Sequence, residues 1–200
     1  SLGRQELYAE IIEEFEGALW SNTMIEETRL SEDTDRELKK IVVAIDPAVT
    51  SNANSDETGI IVVGSDHMNQ FYVLDDYSGI YSPDKWARLA VNAYYDYQAD
   101  LVVAETNNGG DLVERVIRSV DPNIPYRSVR ATRGKMTRAE PISALYEQKR
   151  VHHIGYLPEL EQQMISYTGE TNTSPDRLDA LVWGLTELSK SRGEVMWRIS

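Results

Sequence analysis

Two short apolar segments, each ending on an acidic residue, constrain the fold of this chain more than any other feature. Residues 41–46 read IVVAID and residues 101–105 read LVVAE. Runs of β-branched and small apolar residues are typical of strands buried in the middle of a sheet. Pro47 cannot continue a ladder, and turn-forming Asn and Gly residues follow the second segment, so each strand is predicted to end at its acid. Asp46 and Glu105 are therefore expected at the edge of a sheet, where open α/β folds bind ligands.

The elements around these two strands predict a mixed sheet. Strands at 58–63 and 70–75 follow the first through short connections, which makes three antiparallel strands. A helix beginning at Ser82-Pro83 leads to the strand at 101–105, and such a crossover makes that strand parallel to the first. The remaining predicted elements are a helix from 110 to 120, a strand at 126–129, a helix with capping-box spacing from Thr137 to Lys149, a short apolar segment at 151–154, a helix at 157–167 and a last helix from Ser174-Pro175 to about Ser189. This order predicts an α/β fold with a ribonuclease-H-like mixed sheet, in which an antiparallel β-meander is followed by parallel βα units with flanking helices.

The first 40 residues differ in composition from the rest of the chain. Apolar residues recur with a period close to 3.6 between Gln5 and Trp20, which predicts a short helix. Residues 26–40 are charged and poor in apolar anchors, so a linker is expected there. Such a segment either borders another domain or is a mobile N-terminal extension, and the sequence pattern does not choose between the two.

The last predicted helix supplies two further acids. Asp176 and Asp179 are three residues apart in its first turns, so both project from one side, near the N-terminus that the macrodipole makes favourable for carboxylates. The leucine stripe of this helix is expected to pack on the sheet and to bring those turns near the ends of the two buried strands. Divalent cations such as Mg²⁺ prefer oxygen ligands, and two of them about 3.5–4 Å apart can promote phosphodiester hydrolysis. The candidate metal ligands are Asp46, Glu105, Asp176 and Asp179.

Each acid also has a structural interpretation when it is taken alone. Asp46 precedes a proline, which is a common way to open a turn. Glu105 is able to cap the following helix, and Asp176 is able to interact only with a helix dipole. Asp179 lies at the border of the apolar face, where an unpaired acid is costly. The four acids together indicate a metal site more strongly than any one of them does.

A basic segment follows the second half of the predicted sheet. Residues 127–150 carry a net charge of about +5, although the whole chain has a formal charge of −13. A positive stretch beside an acidic metal site suits a substrate with a phosphate backbone, and Gly134 gives its loop the freedom to follow a strand. The alternative is a solvated loop with charges on helix surfaces. The residues predicted to bind DNA are Arg127, Arg130, Arg133, Lys135 and Arg138.

Composition and motifs exclude several classes of function. The 200 residues include no cysteine, which excludes disulfides, thiolate catalysis and cysteine-ligated zinc. No run of about 18 apolar residues occurs, so a soluble protein with no membrane partner is expected. The strand that ends in Glu105 is similar to the Mg²⁺-holding strand of a P-loop ATPase, but the sequence has no G-x-x-x-x-G-K-[ST], so ATP hydrolysis is not expected. His152 and His153 are adjacent on an extended segment, face opposite ways and are interpreted as structural.

Several motifs spread along the chain are specific in their order. They are Leu2-Gly3-Arg4-Gln5-Glu6-Leu7, Gly17-Ala18-Leu19-Trp20, Ile45-Asp46-Pro47, Val103-Ala104-Glu105, Lys135-Met136-Thr137-Arg138-Ala139-Glu140-Pro141, Arg150-Val151-His152-His153 and Ser174-Pro175-Asp176-Arg177-Leu178-Asp179-Ala180-Leu181-Val182-Trp183. Over nearly the whole chain, the sequence resembles the large terminase subunit of tailed double-stranded DNA bacteriophages or prophages. The resemblance implies the C-terminal nuclease domain of that subunit. Residues 1–40 would then be a helical segment and linker from the end of a missing ATPase domain, 41–190 the ribonuclease-H-like nuclease domain, and 191–200 a C-terminal tail.

The resemblance also implies a function, a site and partners. The function is a metal-dependent endonuclease that cuts concatemeric double-stranded viral DNA during genome packaging in the host cytoplasm. By motif, Asp46, Glu105 and Asp179 would be catalytic acids that bind two Mg²⁺ or Mn²⁺ ions, and Asp176 takes the extra-acid position of the similar Asp-x-x-Asp in RuvC-type resolvases. Double-stranded DNA would be the substrate, and the full-length protein would also contact the small terminase subunit and the portal ring. The ATPase motifs are absent from this sequence, so translocation is not expected of it.

Two other functions are compatible with the same residues. One is a RuvC-like junction resolvase on the same scaffold, which a comparison of branched and linear substrates would separate from a packaging nuclease. The other is a catalytically idle domain that binds DNA or the portal ring, which would bind DNA without nicking a supercoiled plasmid under any divalent ion.

Overall fold

The computed structural model describes residues 15–48, 56–106, 110–169 and 175–199, which form a seven-stranded sheet with helices on both faces. The strands are β1 (Lys40–Asp46), β2 (Glu57–Ser65), β3 (Phe71–Asp76), β4 (Gly79–Ile80), β5 (Leu101–Glu105), β6 (Tyr126–Val129) and β7 (Val151–His153). The helices are α1 (Asn22–Glu26), α2 (Pro83–Asp96), α3 (Gly110–Val120), α4 (Lys135–Glu147), α5 (Pro158–Ser166) and α6 (Asp176–Ile199). The strand order is β6-β5-β1-β2-β3-β7, and β4 pairs with the start of β2.

The strand directions confirm the predicted mixed sheet. β2 is antiparallel to both β1 and β3, while β5 and β6 continue the sheet parallel to β1, and β7 pairs parallel with β3. The connection between β2 and β3 is a tight turn in which the Asp66 carboxylate accepts hydrogen bonds from the N–H groups of Met68 and Gln70. Such a turn permits only an antiparallel pair, whereas the helices α2 and α3 provide the crossovers that parallel pairs need. The ribonuclease-H-like α/β arrangement is therefore the observed fold.

Two apolar cores lie on opposite faces of the sheet because successive side chains of a strand point to opposite sides. Val42 and Ala44 of β1 belong to the core that α1, α4, α5 and α6 cover. Val43 and Ile45 belong to the core under α2 and α3. All four side chains are fully buried, as expected for a central strand covered on both faces.

Helix α6 crosses the middle of the sheet and packs on β1 and β2. Its predicted apolar stripe is buried in the first core and consists of Leu178, Leu181, Val182, Leu185 and Leu188. Gly184 permits the close approach, because a Cβ atom there would lie 2.8 Å from Cγ2 of Val63. The stripe and the missing side chain together fix where the first turn of α6 meets the sheet.

The capping-box prediction at Thr137 and Glu140 is wrong. Helix α4 begins two residues before Thr137, at Lys135, and Gly134 occupies its N-cap without a side-chain hydrogen bond. Thr137 and Glu140 therefore lie inside the helix. Residues three apart share one side of any helix, so the S/T-x-x-E spacing also arises within helices and is not specific to their starts.

The last helix differs from its prediction at both ends. The N–H of Asp179 donates to the Pro175 carbonyl at 2.8 Å, which makes Pro175 the N-cap residue rather than the first helical residue. The predicted cap at Ser174 lies outside the described residues. Helix α6 continues to Ile199, past the predicted end near Ser189 and through most of the predicted tail.

The described part of the first 40 residues packs on the domain. The predicted helix at 5–20 falls largely outside the described residues, and its last six residues form turns rather than helix. The short helix α1 follows within the segment, and Trp20 and Ile25 are buried in the core under α4 and α5. Leu30 forms a parallel bridge with Ile154, so the predicted linker is anchored to the sheet. Its origin in an ATPase domain stays a prediction.

None of the helices in the described part of the chain has the length and apolar character needed to cross a membrane.

Candidate metal centre

The acids at the ends of β1 and β5 lie side by side. Ile45 pairs with Ala104 in the parallel register, so Asp46 and Glu105 are the next residues on neighbouring strands. Each acid is two residues beyond a side chain of the α6-covered core, and alternation along the strand turns both toward α6. The Asp46 and Glu105 carboxyl groups are close enough for Glu105 to raise the pKa of Asp46, and Glu105 is only 9% exposed.

The first turns of α6 bring the two remaining acids to the same place. One carboxylate oxygen each from Asp46, Asp176 and Asp179 lie within 4.8 Å of one another. Glu105 lies outside that group of three but acts electrostatically on both Asp46 and Asp179. The structure therefore brings together all four acids that the sequence analysis selected, and we refer to them as the acid cluster.

A glycine in β2 makes this approach possible. Gly59 is the residue opposite Asp46 in the antiparallel register. A Cβ atom on Gly59 would lie 2.1 Å from the backbone oxygen of Asp176, far inside van der Waals contact. The backbone of α6 thus rests directly on the backbone of β2 beside Asp46. No sequence pattern marked Gly59, because its role depends on which strand lies beneath the helix.

The acid cluster is electrostatically strained. Burial raises the pKa of Asp46 well above its usual value, and the neighbouring Asp179, Glu105 and Asp176 raise it further. Burial also raises the pKa of Asp179, which the neighbouring Lys135 only partly offsets. Acids with raised pKa values at the edge of a sheet are typical of functional sites, because fold stability alone favours separating them.

Lys135, predicted to bind DNA, lies inside this site. Its Nζ is 2.9 Å from Oδ2 of Asp179. The negative charges of Asp46 and Glu105 also favour the protonated form of Lys135. Burial lowers the pKa of Lys135, but the hydrogen bond to Asp179 and the negative charges of Asp179, Asp46 and Glu105 together outweigh burial and leave the pKa raised. Lys135 is the first residue of α4, so the true start of that helix determines its position. Sequence reasoning placed Lys135 only within a basic run.

Arg177 holds the first turn of α6 in place and was not selected from the sequence. Its guanidinium is 2.7 Å from Glu57 of β2 and 3.0 Å from Asp76 of β3. Its backbone N–H donates to Oε1 of Gln163 in α5 at 3.0 Å. These contacts tie the helix start to two strands and a second helix. In the sequence, its position between Asp176 and Asp179 is the one feature that indicates a role of Arg177 near the site.

The other predicted DNA-binding residues divide into two groups. Arg127 on β6 forms an ion pair with the buried Glu187 of α6, so part of its charge serves the packing of that helix. Arg130 and Arg133 are exposed on the loop before α4, and Arg138 lies 4.6 Å from the ring centroid of Trp183. DNA binding by these residues stays a prediction.

Buried ionisable groups also occur away from the acid cluster, in a set that we call the buried polar network. His153 is fully buried between Tyr146, at 2.7 Å, and Glu161, at 3.0 Å. The Glu161 carboxylate accepts two further hydrogen bonds from Arg29, at 2.6 and 2.8 Å. His152 points the other way and contacts the Thr28 carbonyl, so the expectation of structural histidines facing opposite ways agrees with these contacts.

The donor set of the acid cluster suits hard divalent cations. Mg²⁺, Mn²⁺ and Ca²⁺ bind carboxylate oxygens, and the three close aspartates with Glu105 beside them offer several such oxygens at one point. Beyond the effect of burial, Asp179, Glu105 and Asp176 raise the pKa of Asp46, and Lys135 contributes a single positive charge beside these four acids. A bound dication would relieve that repulsion, so the residues present fit a metal centre.

Comparison with known proteins assigns a family to this chain. The family described as "Terminase RNaseH-like domain" matches residues 43–188, which span the sheet from β1 to α6. The matched region contains all four acids of the cluster. A search of curated proteins finds no match.

Solved structures with a similar fold include terminase proteins and terminase nuclease domains. The large terminase of the thermophilic bacteriophage D6E aligns with a TM-score of 0.64 and 13% identity, covering 85% of this chain and 43% of the D6E chain. The P22 large terminase nuclease domain aligns at 0.63 and 14% identity, covering 80% of this chain and 87% of that domain. A Mn-soaked, inhibitor-bound human cytomegalovirus terminase nuclease domain aligns at 0.55 and 15% identity, covering 83% of this chain and 93% of that domain. At such identities the likeness shows the fold alone, and this chain spans less than half the length of the D6E protein.

Proposed function

Because the chain belongs to the terminase RNaseH-like domain family, we propose that it is a metal-dependent endonuclease that cuts double-stranded DNA during viral genome packaging. The observation that carries the proposal is the meeting of Asp46, Asp176 and Asp179 within 4.8 Å, with Glu105 beside them. In a longer protein with an ATPase domain, this nuclease would act in the host cytoplasm on concatemeric DNA beside the small terminase subunit and the portal ring.

Asp46, Glu105 and Asp179 would hold two Mg²⁺ or Mn²⁺ ions, with Asp176 as an additional ligand. When bound, the ions supply Lewis-acid activation of water and of the leaving oxygen. The chain's own residues provide a fixed frame: β1 and β5 hold Asp46 and Glu105, and Arg177 anchors the helix that carries the aspartates. Lys135 offers a positive charge at the edge of the cluster, where a substrate phosphate would enter.

A plasmid-nicking assay tests the proposal. Supercoiled plasmid is incubated with the protein in Mg²⁺, Mn²⁺ or EDTA, and nicked and linear products are quantified. We expect cleavage with either ion and none in EDTA. Asp179→Asn and Asp46→Asn should each reduce the rate by about 10³-fold or more, a typical loss when a group that stabilises the transition state is removed.

The matched control is Asp84→Asn, which removes an equally charged group from the exposed first turn of α2. This variant should cut at the wild-type rate. Retained cutting by Asp46→Asn would contradict the assigned site. Strong preference for branched over linear DNA would favour a junction resolvase, and binding of DNA without nicking under any ion would favour a docking domain.

A further inference from the structure

A groove lies between α4 and α6 next to the acid cluster, and no function described so far uses it. Its volume is about 510 Å³, within the range of about 300–1,000 Å³ that is usual for sites binding small organic groups. Helix α4 and the loop before it form one wall, and the outer face of α6 forms the other. The groove is lined by Arg130, Thr132, Arg133, Thr137, Arg138, Pro141, Ile142, Leu145, Trp183, Thr186, Ser189 and Lys190.

The groove begins one helical turn from the acid cluster. Lys135 at the start of α4 contacts Asp179 near the start of α6, and one turn later Arg138 lies over Trp183. The two helices therefore run side by side away from the catalytic edge. At about 1.5 Å per residue, the wall from Trp183 to Lys190 extends roughly 10 Å. An extended ligand that runs from the acid cluster parallel to these two helices therefore reaches the groove without bending.

The groove combines an apolar floor with a basic rim. The floor consists of the apolar side chains of Ile142, Leu145 and Trp183. The rim carries Arg130, Arg133, Arg138 and Lys190, and no acidic side chain is among the described residues that line it. In a chain with a formal charge of −13, this concentration of positive charge favours an anionic ligand that also has an apolar part.

We propose that the groove binds one unpaired nucleotide of the DNA strand that occupies the acid cluster, an inference that rests on the proposed nuclease function. The apolar faces of the bases in a duplex are stacked on each other and cannot enter a groove between two helices. An unpaired nucleotide exposes that face for contact with the apolar floor, chiefly with Leu145, because Trp183 is only 5% exposed and lies under Arg138. Its phosphates would meet the arginines of the rim. The charge complementarity and the position beside the acid cluster select a nucleic-acid strand as the occupant.

The wall of the groove also offers a polar contact for a base. Pro141 has no N–H, so the Thr137 carbonyl one turn earlier lacks its usual helical donor. Both residues line the groove. A carbonyl in that position is able to accept a hydrogen bond from the ring N–H of a guanine or thymine, which base pairing occupies in a duplex and which is free in an unpaired nucleotide.

A binding experiment tests the proposal without cleavage. Fluorescence anisotropy with Asp46→Asn protein in EDTA compares three labelled DNAs of equal length: a perfect duplex, a duplex with one unpaired nucleotide, and the same duplex with an abasic site at the unpaired position. We expect the unpaired nucleotide to raise the affinity at least fivefold over the perfect duplex, which is the lower end for one base contact. The abasic DNA should bind like the perfect duplex, because it keeps the bend and the phosphates but lacks the base.

Two substitutions in the groove locate the effect. Leu145→Glu places a negative charge on the floor, and Thr186→Trp fills the groove without adding charge. Both, made on the Asp46→Asn background, should abolish the preference and leave binding to the perfect duplex within about twofold. The matched control is Met68→Glu, which adds the same charge at a side chain 78% exposed in the β2–β3 turn, at the opposite edge of the sheet. It should keep the preference.

Several outcomes would overturn the proposal. They are equal binding of the three DNAs, no DNA binding at all, a preference that both groove variants retain, and a preference that the abasic DNA shares. Free dAMP that abolishes the preference at micromolar concentration would identify a mononucleotide site rather than a strand site and would also overturn it. The nicking assay is independent: a protein that nicks plasmid but shows no preference loses only this inference, and one that shows the preference but never nicks loses only the nuclease.

Discussion

The acid cluster and the buried polar network both bury carboxylates near the ends of helices, but their electrostatics are opposite. Burial raises the pKa of Asp46, and the surrounding acids raise it further. Burial also acts to raise the pKa of Glu161, but hydrogen bonds from Arg29 and His153 outweigh burial and lower the pKa to about 2. The acid cluster brings like charges together, and an external cation would stabilise them. In the buried polar network, residues of the chain itself pair with the carboxylate. The difference distinguishes a site whose residues fit a cation from one whose charges the chain itself balances.

The largest expected change in the free energy of unfolding comes from a substitution in the buried polar network. Glu161→Gln removes the buried charge that Arg29 and His153 surround and leaves the partly buried guanidinium of Arg29 without its main partner. The free energy of unfolding, measured by urea titration, should fall by about 3–5 kcal/mol. Glu26→Gln is the matched control, because Glu26 pairs with the same Arg29 but its side chain is 50% exposed, and its cost should stay below about 1 kcal/mol. Equal costs for the two variants would contradict the assignment of the network.

A divalent ion should stabilise the protein through the acid cluster and not through the buried polar network. Ca²⁺ binds the same kind of oxygen ligands as Mg²⁺, so it should stabilise the folded protein by about 2–3 kcal/mol at a hundredfold excess over its dissociation constant. Thermal unfolding with and without Ca²⁺ measures the effect. Asp46→Asn should lose most of the stabilisation, whereas Glu161→Gln should keep it. Ca²⁺ stabilisation that Asp46→Asn retains in full would place the ion elsewhere.

Acidification should weaken the network in two steps. Burial lowers the pKa of His153 below its usual 6.5, so His153 is neutral in the folded protein. The unfolded chain binds a proton there as the pH falls below about 6.5, and stability present above that pH is lost by at most about 1.4 kcal/mol per pH unit. Glu161 adds a second loss as the pH falls from about 4.5 toward about 2.

Urea titrations at several pH values between 7 and 5 measure the first step. His153→Gln should flatten the dependence of the unfolding free energy on pH, whereas His67→Gln, at an exposed turn position, should leave it unchanged. A wild-type slope in the His153→Gln protein would show that another group titrates in this range.

The smallest expected effect is on the stability of the acid cluster without metal. Asp46→Asn removes one of several mutually repelling charges, so in EDTA the free energy of unfolding should stay constant or rise by up to about 1 kcal/mol. The sign is opposite to that of Glu161→Gln, and urea titration in EDTA measures both. A loss above about 2 kcal/mol in Asp46→Asn would mean that the carboxylate is a structural partner rather than a strained one.

The features of this structure that were predicted correctly depend on local sequence patterns. The strand ends placed Asp46 and Glu105 correctly because a buried Ile and Val run that stops on an acid and a turn has few other interpretations. The leucine stripe of α6 identified the face that packs on the sheet, and with it the side on which Asp176 and Asp179 project. These signals need only neighbours in the chain.

The parts that were missed depend on contacts between distant residues. Arg29 and Glu161 are 132 positions apart, and nothing near either residue predicts the pair. Lys135 looks like one charge of a basic run until the start of α4 brings it to Asp179. The misplaced start of that helix shows the same limit, because Gly134 caps it by backbone conformation alone.

A side chain at Gly59 would disturb the geometry of the acid cluster without preventing the domain from folding. Even the single methyl group of an alanine would force the first turn of α6 away from β2, since only backbone fits between them. The leucines farther along the helix would still hold it on the sheet, so the molecule would keep its overall shape. Asp176 and Asp179 would move as a rigid pair relative to Asp46, and the ligand oxygens would no longer converge. The spacing of the carboxylates in the acid cluster is thus determined by the absence of a side chain in a neighbouring strand.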